Sequence, residues 1–282
     1  MDAILLVNKD KDMTSRDVVN KLIKVFNTKR IGHTGTLDPI ATGVLVVCIG
    51  KYTKLCDLLT STYKEYIATI KLGIKTDTSD ITGTIVEQKD YQVDKDKINE
   101  VLKTFLGKST QQVPIYSAVK INGKKLYEYA REGIEIELPT REIDIKDIEL
   151  LDYKDDEIVF KTTVSKGTYI RSLIEDICTK LGTVGTMSSL IRTKQGKFNI
   201  EDSYTLEDIE KGNYKVLSLE EVLNDLETID IDDNLAKLVN NGAIINKTFK
   251  SNICLMKHNN EILAIYKTYD KDKGKAKPYI MI

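Results

Sequence analysis

The sequence is poor in the residues that build metal centres and disulfide frameworks. Its 282 residues include two histidines, His33 and His258, and four cysteines, Cys48, Cys56, Cys178 and Cys254. Neither histidine has a partner at metal-ligand spacing, and no cysteines form a CxxC pair, which argues against a zinc site. Cys48 and Cys178 lie in apolar runs, so the cysteines read as buried free thiols in a reducing cytosol. The N-terminus lacks a basic stretch, a long apolar core and a cleavage site, so no secretory signal is expected. No apolar run approaches the roughly 18 residues of a membrane span. A soluble, cytoplasmic protein without membrane contact is expected. The chain also lacks a charge excess, with a formal net charge of -1. Any affinity for nucleic acid must therefore come from a local patch. A phosphate-binding loop is excluded by spacing. Six residues separate Gly43 from Gly50, where four are needed, and Tyr52 follows Lys51 in place of Ser or Thr. No cofactor motif is found, and neither cofactor nor metal is expected.

What is present is a chain with 41% hydrophobic and 30% charged residues, mixed in sign and without low-complexity tracts. The length suits one large domain and a small one. Periodicity predicts strands over 3–7, 43–49 and 63–72, and a helix with Val18, Val19, Leu22, Ile23 and Phe26 on one face, capped by Thr14 or Ser15. Residues 73–83 read as a polar loop. A helix capped by Asp94 runs to Phe105 and stops at Gly107. A strand over 113–121, the Asn122-Gly123 turn and a short helix over 124–131 follow. Strands over 143–153 and 157–165 precede a helix over 169–181 that ends at Gly182. Strands and helices mix without regular βαβ alternation, which predicts an α+β fold around a mixed β-sheet flanked by helices. Near residue 228 an Asp-rich run precedes short strands at 243–245, 251–257 and 261–267. The expected division is a domain over 1–227 and a small all-β domain over 228–282.

Two segments carry candidate chemistry. In Gly32-His33-Thr34-Gly35-Thr36-Leu37-Asp38-Pro39, two glycines allow unusual backbone angles and Pro39 fixes the chain after the acid. A carboxylate on such a loop suits nucleophilic or acid–base work, and an Asx-type turn before proline explains it equally simply. In Ser165-Lys166-Gly167-Thr168-Tyr169-Ile170-Arg171, Arg171 falls in the first turn of a helix, where a cation opposes the helix dipole. That hints at an ion pair with a distant carboxylate, with a surface arginine as the alternative. A third segment, 106–131, carries Lys108, Lys120, Lys124, Lys125 and Arg131 against the single acid Glu128, with Tyr116, Tyr127 and Tyr129 interleaved. Charge alone does not separate an RNA-gripping surface from a solvated hairpin.

Together these segments resemble the bacterial tRNA pseudouridine-55 synthases. Also carrying the resemblance are Leu6-Val7-Asn8-Lys9, Met13-Thr14-Ser15, Ala41-Thr42-Gly43, Lys64-Glu65-Tyr66, Thr76-Asp77-Thr78-Ser79-Asp80 with Gly83, Pro114-Ile115-Tyr116-Ser117-Ala118-Val119-Lys120 and Gly123-Lys124-Lys125. The resemblance implies isomerisation of the TΨC-loop uridine of tRNA, with a pseudouridine-synthase core and a C-terminal PUA-like module. It implies Asp38 as nucleophile, Arg171 as its cationic partner and Tyr66 as the tyrosine that stacks on the base and assists proton removal. Leu190 corresponds to an apolar pocket residue. Lys9 corresponds to a lysine near the cleft, structural or phosphate-contacting. His33 corresponds to a histidine that fills the space left by extruded nucleotides. A T-arm-gripping insertion falls at about 106–133, with Tyr116, Lys120, Lys125 and Arg131 as candidate contacts. The implied partner is the tRNA T arm, and nothing in the sequence demands a protein partner or more than a monomer. The chain departs from the family pattern at Asp10 and Asp12, at Val113 before Pro114, and at Ile191-Arg192, where two arginines are usual and one RNA contact is expected to be lost.

Readings of other classes are an RNA-binding protein that assists tRNA folding, and a synthase acting on another RNA within a ribonucleoprotein. The Asp38–Arg171 pairing favours catalysis over binding alone, because binding needs no carboxylate facing an anionic RNA. The basic segment favours a stand-alone enzyme.

Overall fold

A computed structural model describes residues 1–60 and 63–282. The first strand, β1 (Ala3–Lys9), is apolar and buried along nearly its whole length. Helix α1 (Ser15–Phe26) starts at Thr14, whose Oγ1 accepts from the Asp17 N–H at 3.1 Å while Asp17 accepts from the Thr14 N–H at 2.9 Å. This reciprocal cap fixes the helix start, and Val18, Val19 and Leu22 form its buried face. Then come β2 (Ile31–His33), β3 (Thr42–Ile49), the short α2 (Cys56–Leu59) and β4 (Tyr63–Leu72).

The stretch predicted as a polar loop is instead part of a hairpin, β5 (Ile74–Thr76) with β6 (Ile85–Gln88). All of β6 is exposed, so no buried face wrote an alternation into its sequence. Helix α3 (Lys95–Lys103) is capped by Asp94 as read, but ends before Phe105. Gly107 does not simply stop it; it opens an edge strand, β7 (Gly107–Gln112), whose polar residues gave no strand signal. The strand expected over 113–121 shrinks to β8 (Lys120–Ile121), which pairs across Asn122-Gly123 with β9 (Lys124–Lys125) before α4 (Leu126–Arg131). Next are β10 (Thr140–Lys154), β11 (Glu157–Ser165), α5 (Ile170–Lys180), β12 (Gly185–Gln195) and β13 (Phe198–Asn199). Helices α6 (Leu206–Glu210) and α7 (Leu219–Leu223) lead to β14 (Glu227–Asp230), α8 (Asp233–Asn240), β15 (Ile245–Asn246), β16 (Ile253–His258), β17 (Glu261–Tyr269) and β18 (Asp272–Met281).

The main sheet runs β1-β3-β12-β4-β11-β10-β7, with β2 paired to β3 and β13 to β12. Its pairings are antiparallel except for β12 with β3. Periodicity gives no sign of β12, yet it joins the two halves of the sheet. One edge of β3 pairs with β1; the other meets β12 at Thr42–Gly43 and β2 at Val47–Ile49. Residues 34–41 cross between those two contacts. Helices α3 and α5 cover one face, packing Ile98, Leu102, Leu173, Ile174 and Ile177 against Ile70, Ile158 and Phe160.

Gly43 holds the junction together. Its φ is +107°, and a Cβ there would run into the Arg192 backbone. Gly43→Ala should therefore lower unfolding stability by about 3 kcal/mol or more, measured by urea denaturation. A change below about 1 kcal/mol would contradict this close approach.

The second sheet runs β14-β16-β17-β18-β15. The expectation of an all-β segment is corrected by α8, which packs on β16 and β17 and is capped by Asp232, accepting from the Leu235 N–H at 2.8 Å. Leu255, Ile265 and Ile280 of this sheet share one apolar cluster with Ile4, Leu6, Val44 and Val46 of the main sheet. Burial across that contact fastens the two sheets together. Among the described residues, no helix is long and apolar enough to cross a membrane, and no group of His, Cys, Asp or Glu is arranged to hold a metal ion.

Candidate active site

The loop between β2 and β3 is tied down from several directions. The Leu37 N–H donates to Ser15 Oγ at 2.9 Å, the Asp12 N–H to the Pro39 carbonyl at 2.8 Å, and the Ala41 N–H to the Asp38 carbonyl at 3.0 Å. Lys9 Nζ donates to the carbonyls of Met13 at 2.6 Å, Asp10 at 2.8 Å and Pro39 at 3.2 Å. Arg192 Nη2 donates to the Gly35 carbonyl at 3.1 Å, and Gln195 Nε2 to Thr34 Oγ1. Asp38 is thereby presented on a rigid turn at the wall of a cleft of about 600 Å³. The same cleft is lined by Lys64, Tyr66, Tyr116, Arg171 and Leu190.

Arg171 meets Asp38 as a fork, Nε to Oδ2 at 3.0 Å and Nη2 to Oδ1 at 3.1 Å. Its remaining capacity goes to the Thr78 carbonyl at 3.2 Å and the Tyr116 carbonyl at 3.0 Å. Arg171 is 5% exposed, whereas the Asp38 side chain keeps 32% of its surface open. The cation is thus locked in place while the acid faces the cleft. Two hydrogen bonds fix the carboxylate's rotation. The carboxylate also offsets the unfavourable placement of a cation at the start of α5. Gln111 holds that helix start, accepting from the Tyr169 N–H at 2.8 Å and donating to the Tyr169 carbonyl at 3.0 Å. Periodicity did not reveal Gln111, which is the buried position of a polar edge strand.

On β4, alternation puts Lys64 and Tyr66 on the face turned to the loop. Their cross-strand partners on β12 are Gln195 and Arg192. Arg192 is fully buried and donates Nε–H to the Val44 carbonyl at 2.8 Å, and among the described residues no hydrogen-bond acceptor meets Nη1. Arg192, second of the Ile191-Arg192 pair at which one RNA contact was expected to be lost, lies beneath the loop. Burial pushes the Tyr66 phenol above its ordinary pKa, Arg192 opposes that shift, and Asp38 adds to it. Burial likewise lowers Arg192.

Lys9 lies under the loop, fully buried, with its ammonium on three backbone carbonyls. Burial pushes its pKa down to about 8. Between pH 8 and about 10.5 the unfolded chain then holds more protons at Lys9 than the folded one, so this term makes stability rise with pH. The stability difference between wild type and Lys9→Met, from urea denaturation, should grow across that window. A flat difference would contradict the shift.

The other sequence candidates sit away from the cleft walls. His33 is half-buried at the start of the loop, with Nδ1 unpartnered among the described residues and its pKa lowered by burial and then by Arg192 and Arg16. Lys120 is exposed on the small hairpin. Lys125 Nζ donates to Tyr127 Oη at 3.1 Å, and the Arg131 guanidinium lies 5.3 Å from the Tyr127 ring centre. Tyr127 itself lines the cleft, so this basic segment borders its mouth.

Comparison with known proteins follows the same lines. Residues 23–170 match the family described as TruB family pseudouridylate synthase (N terminal domain), and residues 171–229 match the tRNA pseudouridylate synthase B C-terminal domain. The tRNA pseudouridine synthase B of Bacillus pumilus (strain SAFR-032) is 46% identical over 258 residues, covering 87% of this chain and 84% of that protein. That of Bacillus subtilis (strain 168) is 42% identical, covering 99% and 96%. Among solved structures, a chain of a Cbf5-Nop10-Gar1 complex superposes with a TM-score of 0.75 at 26% identity, covering 99% of this chain and 85% of that one. By sequence, coverage and fold, the chain belongs to the TruB family of pseudouridylate synthases.

Proposed function

We propose that the chain converts the uridine at position 55, in the TΨC loop of tRNA, to pseudouridine, with Asp38 as the nucleophile. The observation that carries this reading is the Asp38–Arg171 fork, facing a cleft that also holds Tyr66 and Leu190. The reaction breaks N1–C1′ and forms C5–C1′. C5 gives up its hydrogen to water and N1 gains a proton, so atoms balance without redox or hydrolysis. A charged carboxylate held rigidly beside a cation suits attack on the uridine. Tyr66 stacks on the base and assists removal of the C5 proton, and Leu190 completes the apolar floor. The uridine must leave its loop to reach Asp38. Nucleotides displaced with it make room that His33 takes up.

The division of labour is residues 1–227 for catalysis and 228–282 for RNA contact. Support for the second part comes from lysine–aromatic pairs on its surface, Lys267 with Tyr279 and Lys277 with Tyr269. Such pairs suit phosphate and base together. The segment around 106–133, with Tyr116, Lys120, Lys125 and Arg131, grips the T arm. The chain acts alone, in the cytoplasm, as a monomer. Its greater identity to the tRNA pseudouridine synthase B proteins than to the chain of the Cbf5 complex favours this over work inside a ribonucleoprotein.

The test is incubation of an unmodified tRNA transcript with the purified chain alone, followed by digestion and nucleoside mapping. One pseudouridine at position 55 is expected, at unchanged RNA mass. Modification elsewhere, or a requirement for a second protein, would overturn the reading.

A further inference from the structure

Lys64 is a buried lysine without a counter-charge. It is 8% exposed and lines the catalytic cleft. Among the described residues, no carboxylate and no hydrogen-bond acceptor holds its ammonium. The neighbouring acid in sequence, Glu65, points away, engaged by Thr193 Oγ1 at 2.8 Å and Lys194 at 3.7 Å. Asp38 is taken by Arg171. The groups that surround Lys64 are cationic or neutral. A Cβ on Gly35 would lie 3.4 Å from Lys64 Cε, 3.5 Å from Arg192 Nη1 and 3.7 Å from Gln195 Oε1, so these side chains converge on one point of the loop. Lys166, exposed on the loop before α5, lines the same cleft. Burial, with Arg192 and Lys166 nearby, pushes the Lys64 ammonium down to about 8.

The Lys64 stem is buried while its ammonium opens on the cleft beside the buried Arg192 guanidinium, an arrangement that favours an arriving anion. The protein offers none on this wall, so the anion comes with the substrate. Uracil is neutral, and the charge an RNA strand carries is on its phosphodiesters. We propose that Lys64, with Lys166 at the rim, binds a phosphodiester flanking the extruded uridine and so seats the nucleotide over Asp38. This rests on the uridine-isomerase reading. Tyr66 and Lys64 then share one strand face for two tasks, Tyr66 for the base and Lys64 for the backbone two residues away.

The experiment measures affinity for a T-arm RNA as a function of KCl, for wild type, Lys64→Met and Lys166→Met, alongside single-turnover release of tritium from uracil C5. Methionine keeps the length of the buried stem and removes the charge. The expected result is about tenfold weaker binding by Lys64→Met at low salt. Its slope of log affinity against log salt should be smaller than that of wild type by about 0.7, one single-stranded phosphate contact. Lys166→Met should lose a fraction of that slope. Parallel slopes for wild type and Lys64→Met, with or without a slower chemical step, would overturn the proposal and leave Lys64 a support of the loop or a donor to the base. Should Lys64→Met fail to fold, Lys166→Met decides, since Lys166 is exposed, and an unchanged slope there overturns the proposal. No tritium release by wild type would instead count against the isomerase reading.

Discussion

Asp38→Asn is expected to abolish conversion while leaving tRNA affinity within about tenfold of wild type, or roughly 1.4 kcal/mol. Single-turnover pseudouridine formation should fall at least about 10⁴-fold, as when a catalytic nucleophile is removed. The replacement keeps the size of the side chain, and its amide oxygen still accepts from Arg171 Nη2. Arg171 also keeps the carbonyls of Thr78 and Tyr116. The loop keeps its anchors on Ser15, Lys9 and Arg192, so its position does not depend on the Asp38 charge. Removing a negative charge from a surface that receives phosphates does not weaken attraction to RNA. Substantial turnover by this variant would remove Asp38 as nucleophile.

Arg171→Ala should damage both rate and stability. It strips the carboxylate of two charge-assisted hydrogen bonds and frees two carbonyls around it. Asp38 is partly open to water, which tempers the loss, so about 2–4 kcal/mol of stability is expected rather than the full effect of a stranded buried charge. The rate should fall about 10³-fold, because an acid free to rotate no longer points at the substrate. Arg171→Lys should recover little. One ammonium cannot reproduce the planar fork on Asp38 while reaching Thr78 and Tyr116 on opposite sides. Urea denaturation and single-turnover kinetics measure the two losses separately. Unchanged kinetics in Arg171→Ala would sink the ion-pair account.

The parts of the site that were legible in the sequence are those with a local oddity. A cation at the start of α5 opposes the helix dipole, and that oddity pointed to a remote acid. The loop 32–39 is marked by glycines on one side of the acid and a proline on the other. Strand β4 announced itself by alternation over 63–72, because one of its faces is buried along its whole length. Strand β12 did not. Gly-Thr-Met-Ser-Ser-Leu-Ile-Arg-Thr-Lys-Gln carries register shifts against β4, and its two faces differ too little in polarity to show a period. With β12 unseen, the pairing of Lys64 and Tyr66 with Gln195 and Arg192 was out of reach. In the C-terminal segment, Asp232 followed by Leu235, Ala236 and Val239 does carry a helix signature. The Asp-rich run around it reads as a boundary instead, which hid α8. The hairpin β5–β6 and the edge strand β7 expose most of their side chains, so pairing there is set by backbone partners and leaves little trace in residue type.

The most direct measurement uses T-arm RNA carrying tritium at uracil C5, in the presence of the purified chain and no other protein. A new C5 glycosidic bond must release that label to water. Wild type is expected to release one tritium per RNA, and Asp38→Asn none. Tight binding by wild type without release, or undiminished release by Asp38→Asn, would contradict the assignment of this cleft and this carboxylate to uridine isomerisation.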